Sequence, residues 1–492
     1  MTETAKKKRG MPSSFTILLA LLAIVAVITV IVSGTSGGAV TAARLSDFCT
    51  APIKGFADAL PVCLFVMILG GFLGMMTETG ALDNGIAVLV QKLKGNEIML
   101  IPVLMLIFSL GGTTYGMCEE TVPFYALLAA TMMAAGFDPM VGAATVLLGA
   151  GCGCLGSTVN PFAVGAAVDA LTGVDIAVNQ SIIIGLGAVL WIVTTAMSIV
   201  FVMNYAKKVK ADKGSTILSM QELKDAEEAH GKAASEVNKE VKLTGRQKGV
   251  LIAFAFTFVV MIVGFIPLAD LNEGVANFFD AGAVYDADGN AVVQGWSALI
   301  TGLPIGQWYF DEASTWFFLM AILIGIIGGL SEKQIVNTFI TGAADMMSVV
   351  LVIALARGIS VLMANTGLDV YVLDAAAKAL AGLSGVIFAP MSFLVYFGLS
   401  FLIPSTSGMA TVSMPIMGPL AVKLGFSPEV MVMIFSAAIG VVNLFTPTSG
   451  AIMGGLALAK IEWTTWLKFA LKLIVALSVV CAIILTVACV LL

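Results

Sequence analysis

At 492 residues, 59% hydrophobic and 11% charged, the chain lacks the polar surface that a soluble protein of this length needs. Its single histidine, His230, lies in the most polar stretch, which argues against histidine proton relays, His-ligated metals and a Ser/His/Asp triad. The net charge of −6 says little by itself; the placement of charge along the chain says more.

The N-terminus carries Lys6, Lys7, Lys8 and Arg9, then an apolar run from about Phe15 to Val32. Ser33 to Ala39 would suit signal cleavage, but the run is long for a signal core and more apolar segments follow, so an uncleaved first helix is expected. A span at about 59–79 comes next, with Lys92 and Lys94 beyond it. Ile98–Leu110 is too short to cross comfortably and is followed by Gly111-Gly112-Thr113-Thr114-Tyr115-Gly116 and further apolar residues to Ala135. With Lys94 inside, the simplest path is a re-entrant helical hairpin over about 98–135, its tip near Thr113–Glu120. A segment at about 139–176 is broken at Gly156-Ser157-Thr158-Val159-Asn160-Pro161, and a span at 181–204 follows.

Ten of the 25 Lys and Arg lie between Lys207 and Lys248, and none lies between Lys248 and Lys333. The positive-inside rule therefore places 206–248 in the cytoplasm. It places 268–313 outside, where Asp270, Glu273, Asp280, Asp286, Asp288, Asp311 and Glu312 gather. Ser219-Met220-Gln221-Glu222 has capping-box spacing and predicts a charged helix to about His230. It reads as a solvated or membrane-surface linker, with a regulatory docking role as the alternative. Spans follow at 249–267, 314–330 and 346–364. A second hairpin, 385–424, has its tip at Pro404-Ser405-Thr406-Ser407-Gly408. A second broken segment, 428–460, is interrupted at Asn443–Gly450, and a last span runs from 468 to 490. Lys460, Lys468 and Lys472 mark its cytoplasmic start, which puts the C-terminus outside.

The chain repeats itself. Gly55-Phe56-Ala57-Asp58 matches Gly342-Ala343-Ala344-Asp345, Gly71 matches Gly358, and Thr79-Gly80 matches Thr366-Gly367, all at an offset of 287. Gly116-Met117 matches Gly408-Met409, and Pro123 matches Pro415, at 292. Gly136-Phe137-Asp138-Pro139 resembles Gly425-Phe426-Ser427-Pro428, and Asn160-Pro161 sits where Thr446-Pro447 sits. By the charge argument the first copy (1–205) begins inside and the second (314–492) outside. The extra span within 249–313 performs the inversion, and inverted repeats of this kind carry their site at the midplane between copies.

In each break a capping residue, Asn160 or Thr446, precedes a proline at the first helical position. Irregular backbone at this depth is tolerated only when buried in protein or lining a cavity. Four helix N-termini, two after hairpin tips and two after breaks, would converge near the membrane centre, where their free N–H groups suit a carboxylate. The candidate substrate-binding residues are Thr113, Thr114, Glu119, Glu120, Ser157, Thr158, Asn160, Ser405, Thr406, Ser407, Asn443, Thr446, Thr448 and Ser449. Each taken alone reads equally well as a helix cap in a kinked bundle; their symmetric clustering favours a site. No resident metal or cofactor is expected. Coupling to Na⁺ or H⁺ is the alternative use of the same groups, with Ser157, Asn160, Asn443 and Thr446 as Na⁺ ligands.

Glu119 and Glu120 follow the first hairpin tip, and their counterparts in the second copy are Thr411 and Val412. No Lys or Arg lies between Lys94 and Lys207 to pair with them locally. An intramembrane carboxylate is a functional-site candidate, here as a counter-charge for a cationic substrate group or a carrier of the coupling cation; the competing reading is a first-turn Glu on the helix dipole. Arg357, aligned with Gly70, is the one cation well inside an expected span. It would pair with an acid such as Glu119 or bind a substrate carboxylate. Gly151-Cys152-Gly153-Cys154-Leu155-Gly156 fits G-x-G-x-x-G without a βαβ context, so small-residue helix packing is the better reading. Cys152 and Cys154 lack neighbouring ligands and read as packing residues.

Several of these segments resemble one family. Gly116-Met117-Cys118-Glu119-Glu120-Thr121, Ala135-Gly136-Phe137-Asp138, Ser157-Thr158-Val159-Asn160-Pro161-Phe162, Ser407-Gly408-Met409-Ala410-Thr411 and Leu444-Phe445-Thr446-Pro447-Thr448-Ser449-Gly450 look like the YfcC-like branch of the four-carbon dicarboxylate carrier and basic amino-acid antiporter family. Cys118 stands where that pattern expects a small residue such as Ala. The resemblance spans nearly the whole chain and implies the ion-transporter superfamily, with a scaffold part, a moving elevator part and usually a homodimer.

The expectation is therefore an all-α polytopic membrane protein, not an enzyme, in the cytoplasmic (inner) membrane with its N-terminus inside. Its function would be secondary transport of a small carboxylate-bearing metabolite. An amino acid, basic-amino-acid exchange included, is preferred over a Na⁺- or H⁺-coupled C4-dicarboxylate. Its partners would be the small-molecule substrate, membrane lipids and a second copy of the chain, not nucleic acid.

Overall fold

The computed structural model describes residues 14–82, 84–85, 88, 96–236, 242–266, 268, 273–286 and 291–492. Lys6–Arg9, Lys92, Lys94, Asp270 and Asp288 of the charge argument lie outside the described residues. The protein is mostly helical, and ten of the described helices are long and apolar enough to cross a membrane.

The first half runs through α1 (Ser14–Ser33), α2 (Leu45–Asp58) and α3 (Leu60–Glu78) to a helical hairpin, α4 (Leu100–Tyr115) with α5 (Val122–Ala134). Next come α6 (Pro139–Gly156), a π-turn at Pro161–Gly165 that leads into α7 (Ala166–Thr172), and α8 (Gln180–Ala211). Then follow α9 (Met220–Glu236), α10 (Gly245–Phe265), α11 (Glu273–Phe279) and an antiparallel pair, β1 (Val284–Tyr285) with β2 (Ala291–Val293). The second half is α12 (Phe310–Gly328), α13 (Glu332–Asp345), α14 (Met347–Thr366), α15 (Leu368–Leu380), the hairpin α16 (Gly385–Leu402) with α17 (Thr406–Lys423), α18 (Pro428–Val442), α19 (Gly450–Leu458) and α20 (Trp463–Leu491).

Four helices were not expected from the sequence: α2, α13, α15 and the short α11 in the external stretch. Helices α2 and α13 are too short and too mixed in polarity to read as spans, yet they leave Leu45, Ile53, Val336 and Ile340 exposed. They also carry the glycines that join the halves. A Cβ at Gly55 of α2 would lie 2.3 Å from the amide nitrogen of Gly358 in α14. A Cβ at Gly342 of α13 would lie 2.4 Å from the carbonyl oxygen of Gly70 in α3. Only hydrogen fits at such backbone-to-backbone crossings.

The first hairpin departs from expectation in one respect. Helix α4 continues through Gly111–Tyr115 and ends only at Gly116, whose φ of 78° needs the left-handed region. Its glycines serve packing rather than a turn: a Cβ at Gly112 would meet the Ala150 carbonyl oxygen at 2.2 Å, and one at Gly153 would meet the Ser109 carbonyl oxygen at 2.1 Å. The small-residue run Gly151–Gly156 thus lets α4 lie against α6. Cys152 packs with its sulfur 3.0 Å from Ser198 Oγ, and the Cys154 thiol donates to the Met117 carbonyl at 3.3 Å. The second break also differs. Thr446-Pro447 does not open a helix; α19 begins at Gly450, after Ser449.

Helices α6 and α18 run in opposite directions. Asp138, at the start of α6, accepts hydrogen bonds from Tyr205 Oη (2.5 Å) near the end of α8 and from Thr216 Oγ1 (2.7 Å) beyond it. Glu429, in the first turn of α18, accepts from the Asn179 amide (2.7 Å) at the start of α8. Their crossing is reciprocal: a Cβ at Gly151 would lie 2.3 Å from Leu444 Cδ2, and one at Gly440 would lie 2.4 Å from Leu155 Cα.

The segment 219–231 is a docked helix rather than a solvated linker. The capping box forms, with the Ser219 amide 2.7 Å from Glu222 Oε2 and the Glu222 amide 3.2 Å from Ser219 Oγ. Glu222 Oε1 also accepts from the Glu462 amide at 2.9 Å, His230 Nε2 lies 3.1 Å from the Leu458 carbonyl oxygen, and Ala226 is buried. Glu222 and His230, on one helical face, thus tie α9 to the start of α20 and the end of α19, while the helix packs along α5.

Candidate functional site

The tips of both hairpins and both breaks line one cavity of about 180 Å³. Residues 116–121, 160, 162–163, 404–407 and 448–452 contribute, joined by faces of α6 and α18, by Arg357 of α14 and by Phe310 at the start of α12. Of the candidates named from sequence, Glu119, Glu120, Asn160, Ser405, Thr406, Ser407, Asn443, Thr448 and Ser449 line it.

Thr113, Thr114, Ser157, Thr158 and Thr446 are not among the lining residues. Because α4 extends through Tyr115, Thr113 and Thr114 belong to its last turn. Thr114 Oγ1 donates to the Leu110 carbonyl at 2.7 Å. Thr113 ties the hairpin to the first break: its carbonyl accepts from the Thr158 amide (2.9 Å) and hydroxyl (3.0 Å), and its own hydroxyl lies 3.2 Å from Thr158 Oγ1. Ser157, at φ 33°, donates to the Cys154 carbonyl. Thr446 Oγ1 is 2.7 Å from Thr448 Oγ1. Thr113, Ser157, Thr158 and Thr446 brace the irregular backbone that the lining residues stand on, while Thr114 bonds only within α4.

The first tip and the first break interlock. Asn160 Oδ1 accepts from the Phe162 amide at 2.9 Å and Nδ2 donates to Ser157 Oγ at 3.0 Å, which caps the π-turn with Pro161 in its first position. A Cβ at Gly116 would lie 2.5 Å from Asn160 Oδ1. The glycine therefore answers both to its φ and to the asparagine seated against it.

At the start of α5 a single 3₁₀ turn, Glu119–Thr121, sets two carboxylates beside the helix N-terminus. Glu120 is 2% exposed and accepts from the Cys118 amide at 3.0 Å. The helix end offsets part of the cost of burying negative charge. On the second tip Ser405 Oγ accepts from the Gly408 amide at 3.1 Å. Arg357 does not pair with Glu119. Its Nε lies 2.9 Å from Oδ2 of Asp58, the last residue of α2, so the guanidinium reaches the cavity from the opposite half with one edge already held. The aromatic wall is Phe162 stacked on Phe310, with centroids 5.6 Å apart.

Asp58, Phe310 and Ser436 were not identified from sequence as site residues. Asp58 carried a signal, since it closes the repeated Gly55–Asp58 motif. Phe310 lies in the acidic external stretch and Ser436 in an uninterrupted apolar run, and neither setting marks them.

Membrane-length helices and a cavity in which two hairpin tips and two helix breaks bring charged and polar groups together define a multi-pass membrane protein of the secondary-transporter class. Residues 38–490 match the family described as DcuC, C4-dicarboxylate anaerobic carrier; the chain belongs to this family. An uncharacterized Haemophilus influenzae protein is 29% identical over 445 residues, covering 90% of this chain and 78% of that one. An Escherichia coli protein, YfcC, named as a candidate basic amino acid antiporter, is 27% identical over 440 residues, covering 87% of this chain and 77% of that one. Among solved structures, the Alcanivorax borkumensis YdaH transporter matches with a TM-score of 0.47 at 15% identity, over 96% of this chain and 97% of that one.

Proposed function

We propose that this protein is a secondary active transporter of a small carboxylate-bearing metabolite, and specifically of an amino acid, working by exchange. The observation that carries the reading is the composition of the cavity: Glu119 and Glu120 on one tip, Arg357 from the other half, and helix starts at both tips and both breaks. Carboxylates suit an ammonium, while a guanidinium and helix N-termini suit a carboxylate. At about 180 Å³ the cavity is below the roughly 300–1,000 Å³ of drug-sized ligand sites, which favours a single metabolite. The description of YfcC as a candidate basic amino acid antiporter supports a basic amino acid.

The second reading is a Na⁺- or H⁺-coupled C4-dicarboxylate carrier in which the two glutamates hold the coupling cation. The family description favours it.

In both readings the two halves are inverted repeats, spanning 1–205 and 314–492. The antiparallel α6 and α18, the crossing Gly55 with Gly358 and the crossing Gly342 with Gly70 and Gly71 (an added Cβ 3.0 Å from Gly71 Cα) support this, because 342 and 358 stand 287 positions beyond 55 and 71. The hairpins are re-entrant and move with the broken helices as an elevator against a scaffold. The protein works as a homodimer in the cytoplasmic membrane, with its N-terminus inside and its C-terminus outside.

The test is counterflow in proteoliposomes loaded with unlabelled arginine or ornithine, following labelled arginine with and without Na⁺ and H⁺ gradients. Exchange that is lost in Glu119→Gln with Glu120→Gln supports the amino-acid reading. Gradient-driven dicarboxylate uptake without arginine flux moves the assignment to the second reading. Transport untouched by the double change would sink both roles for the glutamates.

A further inference from the structure

Helices α6 and α18 face the cavity with matching registers and different chemistry. Leu147 and Cys154 on α6 correspond, at an offset of 289, to Ser436 on α18 and Asn443 at its C-terminal cap, and all four line the cavity. Ser436 is 2% exposed and its hydroxyl has no hydrogen-bond partner. A buried serine in a helix can satisfy its hydroxyl on a carbonyl of the preceding turn, as Ser400 does on Tyr396 (2.7 Å) and Ser109 does on Leu106 (3.0 Å). Ser436 leaves that bond unmade in the wall of the cavity, where a rotation about its Cα–Cβ bond is all that turning the hydroxyl toward an occupant requires. A buried hydroxyl without a partner is destabilising, so an occupant that bonds it gains more than one that does not.

Seven residues separate Ser436 from Asn443, which places them about 10 Å apart along the helix at 1.5 Å per residue. Asn443 stands at the break, beside the start of α19. Ser436 stands at the far end of the same face, where a solute anchored by its carboxylate at the break would put its other end.

We infer that Ser436 is a specificity-determining residue that bonds a second polar group of the substrate, distal to its carboxylate. A hydroxyl both donates and accepts, so it suits an ammonium, a guanidinium or a second carboxylate and disfavours a methyl of the same size. The inference rests on the transporter reading above but not on which of its two substrate classes holds.

The test uses the full-length protein in proteoliposomes and two pairs matched in chain length, ornithine with norleucine and succinate with pentanoate, each competing against labelled substrate. Ser436→Ala is expected to lower the preference for the polar member of the transported pair by about tenfold or more, with the affinity for the apolar member kept. Ser436→Cys, which retains a weak donor, falls between the two. Ser392→Ala is the control: that hydroxyl is also buried and unpartnered but does not line the cavity, and the preference stays at the wild-type value. An equal loss for both members of the pair marks a structural role and overturns the inference. Wild-type selection of succinate over ornithine ends the amino-acid reading, while the succinate-to-pentanoate ratio in Ser436→Ala still decides the role of Ser436. Absence of flux for all four solutes overturns both.

Discussion

Adding one methyl group at Gly55 or Gly342 tests the crossings that join the halves. A Cβ at Gly55 would sit 2.3 Å from a backbone nitrogen of α14, and one at Gly342 would sit 2.4 Å from a backbone oxygen of α3. Ordinary contact begins near 3.4 Å, so each helix pair must separate by about 1 Å, because backbone atoms cannot rotate aside as a side chain can. Overpacking of this kind costs about 1–3 kcal/mol, and Gly→Ala in a helix returns up to about 1 kcal/mol. The net loss for Gly55→Ala and for Gly342→Ala is therefore about 0–2 kcal/mol, near the upper end because the obstruction is main chain. Gly398 lies in α16 with nothing within 4 Å of an added Cβ, so Gly398→Ala should gain up to about 1 kcal/mol. Unfolding midpoints in one detergent should rank Gly398→Ala above wild type, and wild type above the two crossing variants. The proposed repeat adds a stricter demand: on it positions 55 and 342 are counterparts, so their losses should be alike. A crossing variant as stable as Gly398→Ala would refute the packing argument, and strongly unequal losses would refute the equivalence of the crossings.

Three further outcomes are expected. Asp58→Asn frees the guanidinium of Arg357; the pair is partly exposed, with side chains 52% and 27% accessible, so stability should barely change while the KM for counterflow rises several-fold, and an unchanged KM would show that Asp58 does not orient Arg357. Gly116→Ala forces an unfavourable φ and presses on Asn160; about 1–3 kcal/mol of stability and most of the transport should be lost together, as unfolding midpoints and flux would register. Burial holds the His230 imidazole below the usual histidine range; its bond to the Leu458 carbonyl opposes this, and the nearby Lys460 adds to it. Because the folded value is the lower one, the contribution to docking of α9 is complete above the unfolded value of about 6.5 and is lost as pH falls through the folded value. Hydrogen exchange over 220–231 should therefore quicken on acidification from pH about 7.5 to about 5, and His230→Gln should remove that pH step.

Much of the architecture was legible because membrane burial writes itself into long apolar runs. The breaks were marked by Asn160-Pro161 and by Asn443–Gly450, where polar residues interrupt such runs. What misled was glycine. Gly111 and Gly112 looked like a turn, but a helix tolerates them when another backbone needs the space, and that need arises only in the tertiary structure. The same ambiguity moved Thr113 and Thr114 out of the tip. Thr446-Pro447 had the chemistry of a helix start, yet the chain delays the start to Gly450 and spends the threonine on Thr448. Arg357 found Asp58 rather than Glu119 because α2, an amphipathic helix without a hydropathy signal, brings its last residue to α14. The docked face of α9 was hidden for a related reason. Charged helices read as solvated, and the groups that hold this one, the Glu462 amide and the Leu458 carbonyl, are backbone.

The unequal faces of α6 and α18 have an energetic consequence. On the proposed alternating mechanism, two halves with identical side chains would make the inward-open and outward-open forms equal in energy by symmetry, and the empty carrier would rest in both equally. Leu147 against Ser436 and Cys154 against Asn443 remove that degeneracy, because each form would hydrate a different member of each pair. The resting orientation of the carrier, and with it the side from which solute is captured more readily, is then biased by the difference in hydration between an aliphatic and thiol edge and a hydroxyl and amide edge.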